Sequence, residues 1–512
     1  MAKIDFRPIL KGSLLVLFFL GIPLIYFIYL PVSYSFDGTV FSQMLRYALL
    51  KHDWLAVVQT HHLLYFPINY LIYRVLEALF HYRVLEFFHL QLFSMFFGIA
   101  TLMLVERMLK KLNLNQLMRL IGVSAIAFSY GFWQFSVDAE VHIPGVFFVT
   151  GGLYLLVSRE PRTRQLIGAA FCFSAAAGFH LTNALVGATV FLYLLSKHAP
   201  WRRYAEFYLS YSGFMLLMYG IYSTLTHKPV QGVLHGMLFG TDVYSGYHIA
   251  YAQLLSWPTV RSSLAAMKTA LVVGPGVLAW IVFGGFFLLL VMAGKRADTE
   301  EKRSFKRAML FWSLPFLLFF SFWDPGNMEF KIHALVPLLL VAIVSLSRLK
   351  PLAGHLAGIS LVSGLFLINL FSGIMPQSAI EKNTNYQVAA AIRRSTPLNA
   401  QVLITGRFEG YGYGKIYIPY FAGREVLILD WLLGKGHSLL LINSQLRKRI
   451  ASGQPLYTLD EIALGGKALK TLLEFHHVRE TDFERLAAAI RFIPVAKLPG
   501  GDHLYRLEFK SR

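Results

Sequence analysis

The chain of 512 residues holds one cysteine, Cys172, inside an apolar run. A lone cysteine excludes an internal disulfide and offers no metal-ligand spacing. It reads as a small buried hydrophobe. Charge is scarce as well. Asp, Glu, Lys and Arg make up 15% of the residues, against about 25% in an ordinary soluble domain. Acidic residues are the scarcer: 28 Asp and Glu against 48 Lys and Arg leave a formal net charge of +20. Such a surplus suggests nucleic acid, but its distribution argues against that partner, because the basic residues sit in short loops between apolar runs. No small-residue cleavage site follows the basic start (Lys3, Arg7, Lys11) and the apolar run to Leu30. That run is therefore expected to be a retained first span and not a signal peptide. No convincing repeat relates the two halves.

What is abundant is apolar surface: 56% of residues are hydrophobic and 15% aromatic, with 43 Phe. That suits lipid-facing helices and aromatic interfacial belts. Apolar stretches near span length run from Gly12 to Leu30, Leu85 to Val105, Leu120 to Phe135, His142 to Val157, Leu166 to Phe179 and Leu181 to Ser196. Others run from Phe207 to Thr226, Ala270 to Ala293, Leu310 to Phe322, Ile332 to Ser347 and Leu356 to Ile374. The basic clusters are Lys3/Arg7/Lys11, Arg107/Lys110/Lys111/Arg119, Arg159/Arg162/Arg164, Lys197/Arg202/Arg203, Lys295 to Arg307, and Arg348/Lys350. With about eleven spans all of them fall on one side, the cytoplasm by the positive-inside rule. The segment His62 to Phe80 is apolar too, but it carries Pro67, Asn69, Arg74 and Glu77. A charge at the bilayer centre costs about 2.5–3.5 kcal/mol, so this segment is expected at the outer interface. Thr39 to Lys51 supports that reading. Val40, Phe41, Met44, Leu45, Ala48 and Leu49 form an apolar face opposite Ser42, Gln43, Arg46 and Lys51, the pattern of an interfacial helix.

From Pro376 the composition turns polar and the apolar runs shorten to strand length. Gln401 to Thr405, Glu425 to Leu429 and Leu439 to Asn443 read as strands. Phe492 to Leu498 and His503 to Phe509 flank Pro499-Gly500-Gly501-Asp502 as a hairpin. Helical patterns lie at Thr384 to Arg394 and Asp482 to Ile490. The glycine-rich stretch Gly406 to Lys415 lacks the Gly-Lys-Ser/Thr ending of a phosphate loop and reads as a flexible loop. The expected organisation is a polytopic α-helical membrane domain over 1–375, with juxtamembrane helices in a first outer loop over 33–84. A small extracytoplasmic α/β domain follows over 376–512.

On this topology the unusual polar residues gather at the outer face. Asp37 follows the first span, and His61 and His62 lie in the first outer loop. Asp138, Glu140 and His142 occupy a very short second loop, and His180 and Asn183 the third. The loop His227 to Lys268 holds His235, Asp242, His248, Arg261 and Lys268. The last outer turn holds Trp323, Asp324, Glu329, Lys331 and His333. Each carboxylate alone reads equally as plain exposure; their recurrence at one depth points to chemistry. Asp37 can serve as general base if burial or a neighbouring carboxylate raises its pKa. Asp37, Asp138 and Glu140 offer oxygen ligands, with His142 beside them, for a divalent cation such as Mg or Mn, without a strict ligand spacing. Arg261, Lys268, Lys331 and His333 can face a phosphate or simply anchor at lipid headgroups. Trp133 and Trp323 can stack on a sugar or belong to an interfacial belt.

These residues give the chain a resemblance to the GT-C membrane glycosyltransferases, notably the protein O-mannosyltransferases and aminoarabinose transferases. It resembles more closely a bacterial group related to the O-mannosyltransferases whose second outer loop reads Trp, then Ala-Glu-Val-Tyr. Here Trp133 precedes Ala139-Glu140-Val141-His142, with histidine in place of tyrosine. Asp37 matches by position the family's proposed base, and Thr39 to Phe80 matches its long first outer loop. The family's His-Pro-Pro-Gly-Tyr-Pro segment appears only as His61-His62-Leu63-Leu64-Tyr65-Phe66-Pro67. The resemblance covers Met1 to Met375 in layout. It implies transfer of a hexosyl or pentosyl group from a polyprenyl-phosphate-linked donor to an extracytoplasmic protein, lipid or glycan. Asp37, Asp138 and Glu140 are the catalytic candidates. His61, His62, His142, His180, Arg261, Lys268, Trp323, Glu329, Lys331 and His333 are the substrate- or phosphate-binding candidates. The expected partners are that donor, membrane lipid and the acceptor, with no nucleic acid, in a bacterial inner membrane.

A transporter or lipid flippase is the competing class. Transporters place ionisable groups near the midplane, whereas here they cluster at one face. A scaffold presenting the C-terminal domain to a partner explains that domain but not the carboxylates.

Overall fold

The computed structural model describes residues 7–157, 161–229, 256–274, 276–292, 299–406 and 414–510. His235, Asp242 and His248, and most of the glycine-rich stretch after Gly406, lie outside the described residues. The chain divides into two compact units. One comprises Met1–Pro31 and Met44–Ser378, the other Val32–Gln43 and Ala379–Arg512.

The first unit is helical. Its helices are α1 (Arg7–Ile28), α3 (Tyr65–Phe80), α4 (Glu86–Lys111), α5 (Gln116–Ala127), α6 (Tyr130–Ser136), α7 (His142–Leu156) and α8 (Thr163–Phe179). They continue with α9 (Val186–Ser196), α10 (Trp201–Thr226), α11 (Trp257–Leu271), α12 (Val277–Met292), α13 (Glu300–Trp323), α14 (Ile332–Leu346) and α15 (Pro351–Asn369). Helix α2 (Phe36–Lys51) is shared between the units. Among the described residues four helical stretches are long and apolar enough to cross a membrane: Glu86–Lys111, Glu300–Trp323, Glu329–Leu346 and Pro351–Gln377. Shorter apolar helices accompany them, at Val16–Ile28, Gln116–Ala127, His142–Leu156, Leu181–Ser196 and Val277–Val291. On α12 Val277, Ile281, Leu288 and Val291 stay 60% or more exposed. So much bare aliphatic surface on one helix calls for lipid around it.

Two expectations are corrected here. Leu120 to Phe135, read as one span, is two helices, α5 and α6, interrupted at Phe128–Ser129. A helix broken inside an apolar unit must satisfy its freed backbone groups from within the protein. The wholly buried Asn369 does this: its Nδ2 donates to Phe128 O at 2.8 Å and to Leu271 O at 3.0 Å, and its Oδ1 accepts from Val273 N at 2.9 Å. The stretch after His227, read as loop to Lys268, ends in helix α11. That helix opens with an N-cap at Ser256, whose hydroxyl accepts from Thr259 N, and with Pro258 in its first turn.

The second unit is α/β. Its five-stranded sheet has the order β2-β1-β3-β5-β4, with β1 (Gln401–Ile404), β2 (Glu425–Ile428), β3 (Leu456–Leu459), β4 (Ile490–Lys497) and β5 (His503–Phe509). β1 pairs parallel with β2 and β3, β5 runs antiparallel to β3, and β4 closes the hairpin at the edge. Pro494 sits on this edge strand, where its missing N–H does least harm. Alternate side chains feed two cores. Val402 and Ile404 pack with Val388 and Ile392, while Leu403 packs with Ile442, Leu446 and Leu472 on the other face. The segment Leu439 to Asn443, expected as a strand, is the start of a helix, Leu439–Ala451. Ser438 caps it by accepting from Leu441 N at 3.3 Å, and Ile442 and Leu446, one turn apart, are its buried residues. Val32–Gln43 joins this unit through aromatic packing: the Tyr34 ring lies 4.9 Å from Phe421 and 6.2 Å from Tyr386. Asn383 Nδ2 also donates to Val32 O at 2.6 Å.

Candidate active site

In the helical unit the polar candidates converge from four separate segments. The turn before α3 carries His61 and His62, and the α8–α9 turn carries His180. The two are stitched together by backbone: Leu64 N donates to Gly178 O at 2.9 Å and Leu181 N to His61 O at 3.1 Å. The α6–α7 loop and the first residue of α7 supply Asp138, Glu140 and His142; the short 3-10 turn before α14 supplies Glu329 and Lys331, and the first turn of α14 supplies His333. A glycine permits the close approach of α7 to the α8–α9 turn. A Cβ on Gly145 would collide with the amide of Asn183, one turn along from His142.

The result is a row of imidazoles. The His180 ring lies 5.0 Å from His62 and 4.7 Å from His142, and His142 lies 6.1 Å from His333. His62 Nδ1 faces the Phe179 carbonyl at 3.0 Å. A carbonyl only accepts, so Nδ1 carries the proton. Burial pushes the His62 pKa down from 6.5 to about 4, opposed in part by that hydrogen bond. Burial also lowers His61 and takes His180 well below its ordinary value, with His142 and the other imidazoles adding to it. His180 Nδ1 accepts from Thr182 N at 3.3 Å, which leaves the proton on Nε2. His61, His62 and His180 are thus neutral near pH 7. His142 Nδ1 and both nitrogens of His333 have no hydrogen-bond partner among the described residues, although both side chains are buried. Each such orphan costs about 1–3 kcal/mol, the signature of groups kept for water or a ligand.

Acidic groups flank the row. Asp138 and Glu140 are 1% and 2% exposed. Asp138 Oδ1 accepts from Ala139 N at 2.8 Å. Carboxylate oxygens of Glu140 and Glu329 lie within 4.8 Å of each other, and Glu329 Oε1 stands 3.8 Å from His142 Nε2. Asn327 Nδ2 steadies Glu329 Oε1 at 2.9 Å. Two carboxylates so close repel unless a proton or a cation lies between them. Burial, then the Glu140 and Asp138 carboxylates, raise the Tyr65 hydroxyl well above its ordinary pKa, so it stays a donor beside them.

The cationic candidates are engaged. Lys331 is buried and its Nζ donates to Phe320 O at 2.8 Å. Lys268, in the last turn of α11, donates to the Gly274 carbonyl, with its Nζ 5.7 Å from the centre of the Trp280 ring. Each ammonium keeps two further N–H groups. Arg261 is exposed on α11. Trp323 ends α13, 42% exposed and 5.1 Å from Phe319. Trp133 is not available to a sugar: it is wholly buried, stacked 5.6 Å from Tyr26 and 6.0 Å from Phe366. In the second unit, Asp37 lies in the first turn of α2, and burial raises its pKa above the ordinary carboxylate value. That is the direction a general base requires. Tyr65 was not singled out from sequence, and Asn183 was noted at the third outer turn but not placed among the catalytic or binding candidates. The signal for both was a polar side chain that the surrounding apolar run leaves no way to reach water.

Compared by sequence, the chain matches no protein-family model and no curated protein. Compared by structure, it is similar to ArnT from Cupriavidus metallidurans in the apo state, with TM-score 0.65 at 11% identity, covering 97% of this chain and 98% of that one. It is similarly close to ArnT from the same organism bound to undecaprenyl phosphate, with TM-score 0.63 at 10% identity, covering 96% and 98%. The chain has the fold of these two ArnT structures over nearly its whole length. With its apolar helices, this makes the chain an integral membrane protein.

Proposed function

We propose that the chain is a membrane glycosyltransferase using a polyprenyl-phosphate-linked sugar. The observation that carries this reading is the near-complete match to ArnT, including the form bound to undecaprenyl phosphate. The buried row of imidazoles and the paired carboxylates at one end of the helical unit support it. About eleven spans in a bacterial inner membrane, with this end outside, fit the basic loops.

In the proposed reaction Asp37 takes the proton from an acceptor hydroxyl on a protein, lipid or glycan. The acceptor oxygen forms its bond to the anomeric carbon as the bond from that carbon to the phosphate oxygen breaks. The configuration inverts, and polyprenyl phosphate leaves with the bonding electrons and one more negative charge. That charge is met by N–H donors, for which Lys331, Lys268, Arg261 and the N–H of His333 are the candidates. Glu140 and Glu329, with Asp138 close in sequence, form an oxygen-rich pair suited to Mg or Mn, which would orient and neutralise phosphate. Asn327 holds Glu329 in place. Neutral imidazoles suit this site, because they donate to sugar hydroxyls or phosphate without adding a fixed charge.

The test is transfer from a radiolabelled polyprenyl-phosphate sugar in proteoliposomes, comparing wild type with Asp37→Asn. Loss of a general base should slow transfer by about 10²- to 10⁴-fold in a protein that still folds and inserts. Full activity of a folded Asp37→Asn protein removes the base assignment. A folded wild type that neither binds polyprenyl phosphate nor transfers from any such donor overturns the reading.

A further inference from the structure

A cavity lies at the end of the helical unit away from the candidate site, where α4, α7 and α9 finish and α13 begins. It measures about 180 Å³ and is lined by Met108, Lys111, Tyr154, Lys197, Glu301 and Ser304, among others. This is below the roughly 300–1,000 Å³ of pockets for drug-sized ligands and is the scale of a small headgroup. Its chemistry is divided. Two ammonium groups come from helix C-termini: Lys111 lies 4.1 Å over the Tyr154 ring, and Lys197 lies 5.9 Å from the Tyr193 ring. Both aromatic contacts hold a cation in place. Two carboxylates, Glu300 and Glu301, come from the first turn of α13. Glu300 is engaged by Arg303 at 3.7 Å and Arg307 at 3.8 Å. Glu301 lines the cavity without an ion pair among the described residues. The buried Met108, Leu112 and Phe305 make an apolar floor, and Leu195, two residues before Lys197, is 53% exposed.

We propose that this cavity binds the headgroup of a phospholipid that carries both a phosphate and a primary ammonium. Lys111 and Lys197 take the phosphate, and Glu301 takes the ammonium. A purely anionic headgroup would satisfy the lysines but meet Glu300 and Glu301 with like charge. A quaternary ammonium would bring the charge but no N–H for a carboxylate to accept. The position agrees with the occupant: the cavity opens where helix ends carry the basic loops, the level at which headgroups lie. This site is separate from the proposed transfer chemistry and would anchor the α4–α7–α9–α13 ends in the leaflet.

The experiment is native mass spectrometry of the delipidated full chain, titrated with phosphatidylethanolamine, phosphatidylglycerol and phosphatidylcholine of identical acyl chains. Phosphatidylethanolamine should bind most tightly. Lys111→Ala and Lys197→Ala should each weaken it about fivefold, the effect of one basic residue near a lipid phosphate, and Lys197→Arg should restore it. Glu301→Gln should weaken phosphatidylethanolamine while leaving phosphatidylglycerol unchanged or tighter. Equal binding of the three lipids, tightest binding of phosphatidylglycerol, or indifference to these substitutions in protein that keeps its wild-type melting temperature would each overturn the proposal.

Discussion

The two ends of the helical unit treat polar residues in opposite ways. At the basic end Arg202 and Arg203 pair with Glu206 at 3.0 and 2.9 Å, but the Arg202 side chain is 81% exposed. Such pairs contribute little to stability, and their information is topological. At the other end Asp138, Glu140, His142 and His333 are 2% exposed or less, and His142 Nδ1 and both nitrogens of His333 lack partners among the described residues. Burial without pairing is expensive, so this end carries groups that folding alone does not need. The comparison teaches that exposed charge costs the fold little, whereas buried ionisable groups are costly to keep and mark the proposed site.

The sharpest way to break this comparison is Glu140→Gln. If the buried carboxylate is there for chemistry, transfer should fall about 100-fold or more while the melting temperature holds or rises. Unchanged turnover would make Glu140 a structural residue. Next in size, Asn369→Leu should destabilise by about 3 kcal/mol, because it orphans buried backbone groups of Phe128, Leu271 and Val273 at about 1–3 kcal/mol each. Thermal unfolding would measure this, and a neutral result would mean that the α5–α6 break finds other partners. A third test uses pH. His62 has a pKa of about 4 in the folded protein against an ordinary 6.5. The unfolded chain therefore binds the extra proton between those values. The contribution of neutral His62 is fully present above pH 6.5 and is lost as pH falls toward 4. His62→Gln should flatten the melting temperature over that window, and an identical pH profile would count against a neutral buried imidazole. The smallest effect is expected for an exposed pair. Arg46 contacts Glu86 at 2.9 Å with 31% of its side chain exposed, so Arg46→Ala should cost less than about 1 kcal/mol.

How far the sequence could be read depended on the length scale of each signal. Long apolar runs such as Leu356 to Ile374 and Leu85 to Val105 correspond to helices α15 and α4. The hairpin followed from Pro499-Gly500-Gly501-Asp502, where Gly500 and Gly501 adopt φ of +95° and +101°, a backbone region open to glycine. Leu439 to Asn443 failed because four apolar residues and an asparagine fit a strand and a helix turn equally well. The deciding cap, Ser438, stood just outside the run. The break at Phe128–Ser129 carried no proline to announce it; it depends on Asn369, far along the chain.

By itself, then, the sequence determined the membrane class, the basic residues in short loops between apolar runs, the compositional change near Pro376 and the residue types available for chemistry. Composition and hydrophobic period are local properties, and they survive without knowledge of contacts. Only the tertiary structure decided that His62, His142, His180 and His333 form one row, that Glu329 joins Glu140, that Trp133 is core, and that Val32–Gln43 packs with the α/β unit. Those outcomes rest on meetings between segments distant in sequence, held by close backbone approach at Gly145 and by single buried amides. No local pattern encodes such contacts, because the partner that makes each residue meaningful is supplied by the fold.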